Sequence, residues 1–519
     1  MLFLALLASS GALALPTCSE TISKAGFTHP GVLHSCSDLE RIQRLKSLEK
    51  EPWVSAWQSV DDLAVFQSDY QMRGPLDWIA REPANQTHHF IHDDGRSAYY
   101  SAVAWFATGK DIWLDRSISI IRAWAKELNV LRDYIYGGTG MHHMSAAAEI
   151  LRAASGSGWS DKDTRDYVAM YKRISSDWRQ FDNFSLGLDQ DTMFGNQGIL
   201  SNLGLLGLAV FSEDAEVYDR VIERATYGRS QHPNDDWALN RFVNNKTDQL
   251  TESGRDQAHA ALFVTGMSLM AETLNIQGQV GDRYPNLYEW GNNMPLKRAM
   301  LYWINYNVGK NVPYQPLYNV ENGRNYLEIS PLYRGRLTGR DKPDTFLAPP
   351  YYYYSIHGGL SPAQLNSVKR FLEYSGPAYE NAFWGDDAVA DIVYGPKPTE
   401  GGAYLHVAEG SAKKVAHDKG YYGSLGAKTI VTYSGNVFQR SIKSQPNVGI
   451  RARTKGSDAH IIVRNGTLDG FVVAEGTVSG ESFKDYTWPL KGQGDFTYSM
   501  LLFLSTSERI DVMSISPQS

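Results

Sequence analysis

The sequence predicts a mainly α-helical chain of antiparallel helix pairs, either stacked as a solenoid or closed as an (α/α) toroid, followed by a smaller all-β sandwich. Three observations predict it. From about residue 37 to 390, apolar residues recur at three- and four-residue spacing, the period of helices with one buried face. Gly-, Pro- and Asn-rich connections such as GPLDW, YGGTGMHH and SQHPNDDW separate these runs, so helices alternate in direction. Beyond YGPKPTEGG, residues 394–402, the period becomes two and the helices stop.

Taken in order, the chain opens with MLFLALLASSGALALP, an apolar run too short to span a bilayer. Residues 1–14 read as a secretory signal peptide, 15–393 as the toroid, 394–402 as a linker and 403–519 as the sandwich. Secretion brings an oxidising compartment, in which Cys18 and Cys36 are expected to pair. The sequons at Asn85, Asn183, Asn245 and Asn465 agree with an extracellular glycoprotein. Helical runs cover residues 37–66, 96–128, 144–155, 161–178 and 196–226, and another follows Thr251. Short strands AKTIVTY, VGIRART, AHIIVRNG, GFVVAEG, YSMLLFLS and RIDVMSI follow the linker. A net charge of −7 argues against nucleic acid and against a polybasic membrane surface, so an anionic ligand needs a local basic groove. The 30 tyrosines and 13 tryptophans supply flat faces suited to sugar rings, as well as core.

One stretch carries more chemistry than its surroundings need. In TESGRDQAHAAL, residues 251–262, a helical reading puts Glu252, Arg255, Asp256 and His259 on one face and Ala258, Ala261, Leu262 and Thr265 on the other. With MSLMAETLNIQGQVGDRYPNLYEWGNN, KRAMLYWINYNVGKNVPY and the upstream MFGNQGILSN, it resembles the alginate lyase superfamily of polysaccharide lyases. The resemblance runs from roughly residue 90 to 375 and is most specific at 252–259 and 299–314. It implies a toroid whose groove holds an acidic polysaccharide that is cleaved by β-elimination. The strand region loosely resembles a carbohydrate-binding jelly roll, which implies Glu409 as a ligand of a structural calcium ion. No other cofactor is implied.

Such an elimination takes the proton at C5 of a uronate and expels the oxygen at C4. Amide and guanidinium donors neutralise the carboxylate without taking that proton, which makes Asn196, Gln197 and Arg255 the candidates. Tyr306 stands at the family's tyrosine position and serves as base and acid when a cation lowers its pKa. His259 is a candidate base or a second carboxylate clamp. The superfamily's best-known branch has Asn-Asn-His where Asn196-Gln197-Gly198 stands here. The base role therefore falls to His259, Tyr306, or one of His142 and His143, which follow the Gly-rich stretch. His142, His143, Arg334 and Arg336 are candidates for substrate binding.

Blander readings stand beside these. Asn196 also suits a helix N-cap with Gln197 solvated, and Arg255 a structural partner for Glu252. His259 and Tyr306 also suit core positions, as expected for Tyr302 and Trp303, and Tyr351–Tyr354 cannot all face one way. Two other functions fit the fold class. A glycoside hydrolase needs paired carboxylates, for which Asp189, Asp191, Asp235, Asp236, Asp386 and Asp387 are material; a non-catalytic polysaccharide-binding protein needs none. The expectation is a secreted, monomeric lyase acting on a 1,4-linked polyuronate, alginate of mannuronate type or glucuronan.

Overall fold

The computed structural model describes residues 15–49, 53–82, 85–133, 135–178, 195–228, 237–278, 286–291, 293–319, 324–330 and 348–356, parts of 360–371, and the strands between 404 and 518. The expected signal segment, the linker, Arg334, Arg336 and all six hydrolase-type aspartates lie outside them, as do the side chains of Asn85, Asn465 and Glu409 and the whole of Asn183.

Among the described residues the first part holds twelve helices: α1 (Cys36–Ser47), α2 (Trp53–Asp61), α3 (His88–Thr108), α4 (Asp111–Glu127), α5 (Tyr136–Ala153), α6 (Asp161–Trp178), α7 (Gly195–Ser212), α8 (Ala215–Thr226), α9 (Leu239–Phe242), α10 (Gln257–Gln277), α11 (Pro295–Asn307) and α12 (Ala348–Ile356). Helices α3, α5, α7 and α10 pack side by side as an inner row. They are buried almost all round, as an apolar helix between two layers must be. Helices α4, α8 and α11 return against the inner row through turns, which makes the (α/α) architecture.

The inner helices run parallel to one another, and residues early in each meet residues early in the next. His92 of α3 bonds Thr139 of α5, Gly138 of α5 faces Leu200 and Gly204 of α7, and Gly195 of α7 abuts Glu252 just before α10. Four helix N-termini therefore gather at one end. The segment before α1 crosses the opposite ends. Gly31 N donates to Glu149 Oε2 of α5 at 2.9 Å, and Thr28 and Gln277 of α10 exchange bonds of 3.0 and 2.9 Å. The expected Cys18–Cys36 disulfide ties this segment to the first residue of α1, and Ser35 and Asp38 form the capping box there.

Three elements differ from the sequence reading. YGGTGMHH is not a connection; it is the first two turns of α5. Glycines suit it because helices approach there: a methyl on Gly138 would collide with the Leu200 carbonyl, and one on Gly140 with the Ile91 carbonyl. Helix α3 begins at His88, a full two turns before the apolar periodicity becomes regular. Glu252 and Arg255 do not lie on the helix that carries His259. Residues 251–255 form a turn closed by Arg255 N to Glu252 O at 3.0 Å, and α10 starts only at Gln257.

Beyond residue 403, two five-stranded antiparallel sheets form the smaller β-sandwich. One runs Lys484–Pro489, Asn447–Thr454, Ile510–Gln518, Gly420–Leu425, Ala412–His417. The other runs Val472–Val478, Ala459–Asn465, Met500–Leu504, Ile430–Ser434, Tyr404–Glu409. Neighbours in both are mostly distant in sequence, as jelly-roll connections require, and Trp488 of the first sheet packs on Gly476 of the second. Tyr302 and Trp303 are core, as expected.

Candidate active site

The turn 251–256 is set in place by a buried amide network. Gln257 Nε2 donates to Ser253 O at 3.2 Å and to Ser330 Oγ at 3.0 Å, while its Oε1 accepts from Asn307 Nδ2 of α11 at 3.0 Å. Trp303 Nε1 donates to Gln257 O at 2.9 Å, and Ser330 N to Ser253 O at 2.9 Å. These bonds satisfy the buried Gln257 side chain and the Ser253 and Gln257 carbonyls, and so fix the turn against α11 and Ser330.

On this platform Asp256 is both cap and partner. Its Oδ1 accepts from His259 N at 2.8 Å, closing the first turn of α10, and its Oδ2 lies 2.6 Å from His259 Nδ1. A carboxylate only accepts, so the His259 proton sits on Nδ1 and the Nε2 lone pair points away from Asp256. The His259 side chain is 28% exposed, enough for a ligand to reach it.

Glu252 is fully buried beneath Arg255, whose Nη1 stands 3.4 Å from Oε1. Burial pushes the Glu252 carboxyl up to about 7, against the opposing pull of Arg255 and His259. Near neutrality the guanidinium is therefore only partly neutralised from below and remains available to an incoming anion. Glu252 also touches Gly195, at φ +49°, where a side chain would collide with the carboxyl.

Asn196 follows directly. It is the second residue of α7, not its N-cap, and is fully buried. Neither Oδ1 nor Nδ2 has a hydrogen-bond partner among the described residues. An unsatisfied buried amide costs about 1–3 kcal/mol, a sacrifice typical of a group held for a ligand. Gln197 beside it is half-buried.

Tyr306, on the last turn of α11, donates its hydroxyl to Ser330 O at 2.6 Å. The same Ser330 that positions the turn thus positions the tyrosine, in its protonated form. The structure gathers Asn196, Glu252, Arg255, Asp256 and His259 around adjoining helix starts, and Tyr306 joins them through Ser330.

His142 and His143 are placed differently from the sequence expectation. Their expected border position rested on a turn that is helix. His142 is fully buried against Gly207 of α7, with its basicity pushed well down by burial. His143 is 3% exposed, bonds Thr139 O at 2.8 Å through Nδ1 and packs on Tyr99 and Tyr100. In the tyrosine run, Tyr351 and Tyr354 are buried while Tyr353 bonds Glu289 and Asn286, so the ring directions diverge as expected.

Sequence reasoning passed over a second group at this end. His88, His89 and His92 of α3 surround Tyr136 of α5, with ring centroids 5.1, 5.9 and 5.0 Å away, and the Arg81 guanidinium lies 5.0 Å over the Tyr136 ring. The cue available was HHFIHDD, whose histidines at 88, 89 and 92 share a helical face.

Among the described residues there is no cluster of three or more metal-ligating side chains, and no helix long and apolar enough to cross a membrane. A cleft of about 580 Å³ between outer helices α4 and α6 is lined by the ion pairs Arg122–Asp163 and Lys162–Asp166 together with Lys126 and Arg173.

Among solved structures the chain is similar to a variant of alginate lyase A1-III complexed with a tetrasaccharide. The TM-score is 0.44 and the identity 12%, over 63% of this chain and 87% of that one. It is also similar to xanthan lyase from Paenibacillus, with a TM-score of 0.36 and 11% identity over 95% of this chain and 58% of that one. A low-affinity xylan-binding module from Roseburia intestinalis gives a TM-score of 0.17 and 18% identity over 21% of this chain and 86% of the module. No protein-family model and no curated protein matches the sequence.

Proposed function

We propose that the chain is a secreted polysaccharide lyase that cleaves a 1,4-linked polyuronate, mannuronate-type alginate or glucuronan, by β-elimination. The observation that carries this reading is the company of Asn196, Arg255 and the Asp256–His259 pair: donors that cannot take a proton beside a base that can. A hydrolase needs two opposed carboxylic acids, and the carboxyls of this cluster are spent otherwise, Glu252 under Arg255 and Asp256 on His259.

Each group has a step. Asn196, Gln197 and Arg255 bind the substrate carboxylate and stabilise the charge that moves onto it. His259 Nε2 takes the C5 proton, with Asp256 stabilising the imidazolium. The electron pair forms the C4–C5 double bond as the C4–O4 bond breaks. Tyr306, which holds its proton, gives it to O4, and solvent returns a proton from His259 to Tyr306. No step calls for a metal. The disulfide and the exposed Asn245 agree with an extracellular protein. The β-sandwich is proposed as an accessory carbohydrate-binding domain, with Glu409 as a calcium ligand, and the protein as a monomer.

Product masses test the reaction. Elimination conserves mass across each cut, whereas hydrolysis adds one water; products carrying added water would replace this reading with a hydrolase.

A further inference from the structure

We infer that Asn245 is the acceptor of an asparagine-linked glycan. The inference rests on the secreted reading above, because the glycan donor, an oligosaccharide carried on a lipid diphosphate, is met in the secretory compartment. The sequon Asn245-Lys246-Thr247 marks the position, and the structure supplies what a sequon alone lacks.

The turn that carries Asn245 is closed without help from its amide nitrogen. Val243 and Leu250 bridge the base of the turn, Asn244 N donates to Gln249 O at 2.9 Å, and Asp248 N donates to Asn244 O at 2.9 Å. Asn244 Oδ1 accepts from Lys246 N at 2.8 Å and from Thr247 N at 3.1 Å, which closes the tip. Arg298 of α11 ties the turn down, donating to Asn244 O at 3.3 Å, Asp248 Oδ1 at 2.7 Å and Asn245 Oδ1 at 3.1 Å. A guanidinium only donates, so the Asn245 oxygen must face it and Nδ2 takes the other side of the amide. Nδ2 makes no hydrogen bond among the described residues, and both Asn245 and Lys246 are exposed. The buried amides of Gln249 and Gln257, by contrast, are bonded at both ends.

The exposed nitrogen is the atom this modification uses. Nδ2 bonds to C1 of the sugar as the C1–O bond to the diphosphate breaks. The lipid diphosphate leaves with that electron pair, and the amide loses one proton to solvent. The carbonyl oxygen is untouched, so the bond from Arg298 survives the transfer and the turn keeps its shape. A sequon is read on flexible chain, and the fold has then only to leave the product room. An exposed turn does so, with the nitrogen on the side away from α11. Thr247 supplies the hydroxyl that the sequon requires, and in the folded turn its Oγ1 accepts from Gln249 N at 3.4 Å.

The test is peptide mapping by mass spectrometry of the full chain recovered from the medium of a yeast culture. It is run with and without peptide N-glycosidase, which leaves aspartate where a glycan stood. Most of the peptide containing position 245 should carry N-acetylhexosamine and hexose before treatment and aspartate after it. Asn245→Gln and Thr247→Ala should abolish that glycopeptide, and Thr247→Ser should keep it. Secreted protein in which Asn245 is mostly unmodified overturns the inference. So does a Thr247→Ala variant still modified at Asn245. A chain retained unmodified inside the cells counts against the secreted reading instead, and the mapping is then repeated with residues 1–14 replaced by a leader that directs export. Asn245 occupied in that exported protein upholds the site, and Asn245 bare overturns it.

Discussion

Asp256 Oδ2 lies 2.6 Å from His259 Nδ1, while its other oxygen caps the helix that His259 begins. One carboxylate thus sets the imidazole's tautomer and the backbone beneath it. Asp256→Asn separates the two duties, since asparagine caps as well but its amide can present Nδ2 to the ring. Helix stability should hold, with thermal midpoints little changed, while kcat falls about 100-fold as the imidazolium loses its counter-charge. Unchanged kcat would remove His259 from the base role.

Asn196 should show opposed effects on stability and activity. Asn196→Leu replaces a buried amide with no partner among the described residues by a side chain of similar size, and should stabilise the fold by about 1–3 kcal/mol in denaturant titration. Activity should fall at least 100-fold with the loss of a carboxylate donor. A variant both destabilised and active would show the amide to be structural.

Glu252 makes a prediction about pH. Its pKa is raised from 4.5 to about 7, chiefly by burial, so the folded state holds a proton that the unfolded state has released. The associated stability is complete below 4.5 and is lost as pH rises through about 7. Glu252→Gln should therefore lose less stability than wild type between about pH 5 and about pH 8. Above neutrality ionised Glu252 also competes for Arg255, so the variant's alkaline limb of kcat/KM should move upward. Parallel pH profiles for the two proteins would contradict both statements.

Gly138 tests the inner row. A methyl there meets the Leu200 carbonyl of α7, a backbone group that cannot swing aside. Gly138→Ala should cost about 1–3 kcal/mol and reduce activity by parting α5 from α7. Gly156, at φ +78° with open space around it, isolates backbone strain from collision, and Gly156→Ala should cost about 1 kcal/mol.

Legibility in the sequence followed the range of the forces involved. Helices with a polar face, such as α4 and α6, were readable because their periodicity is local. The gathering of Glu252, Arg255, Asp256 and His259 was readable too, although a turn and a cap achieve it where a helical face was expected. The first turns of α5 were not readable: glycines signal loops locally and close helix contacts only when a partner such as Leu200 is known. The same error moved His142 and His143 from the core to an imagined rim. The Ser330 carbonyl that holds Tyr306, and the ring cluster around Tyr136, depend on residues far apart in the chain and leave no periodic trace.

The most direct test is ultraviolet absorbance of wild type and His259→Ala mixed separately with glucuronan, polymannuronate, polyguluronate and hyaluronan. Elimination creates a conjugated C4–C5 double bond that absorbs, and hydrolysis does not. The account predicts a rise with glucuronan or polymannuronate for wild type, and a rate at least 100-fold lower for His259→Ala. New reducing ends without absorbance, or a His259→Ala variant as fast as wild type, would contradict it.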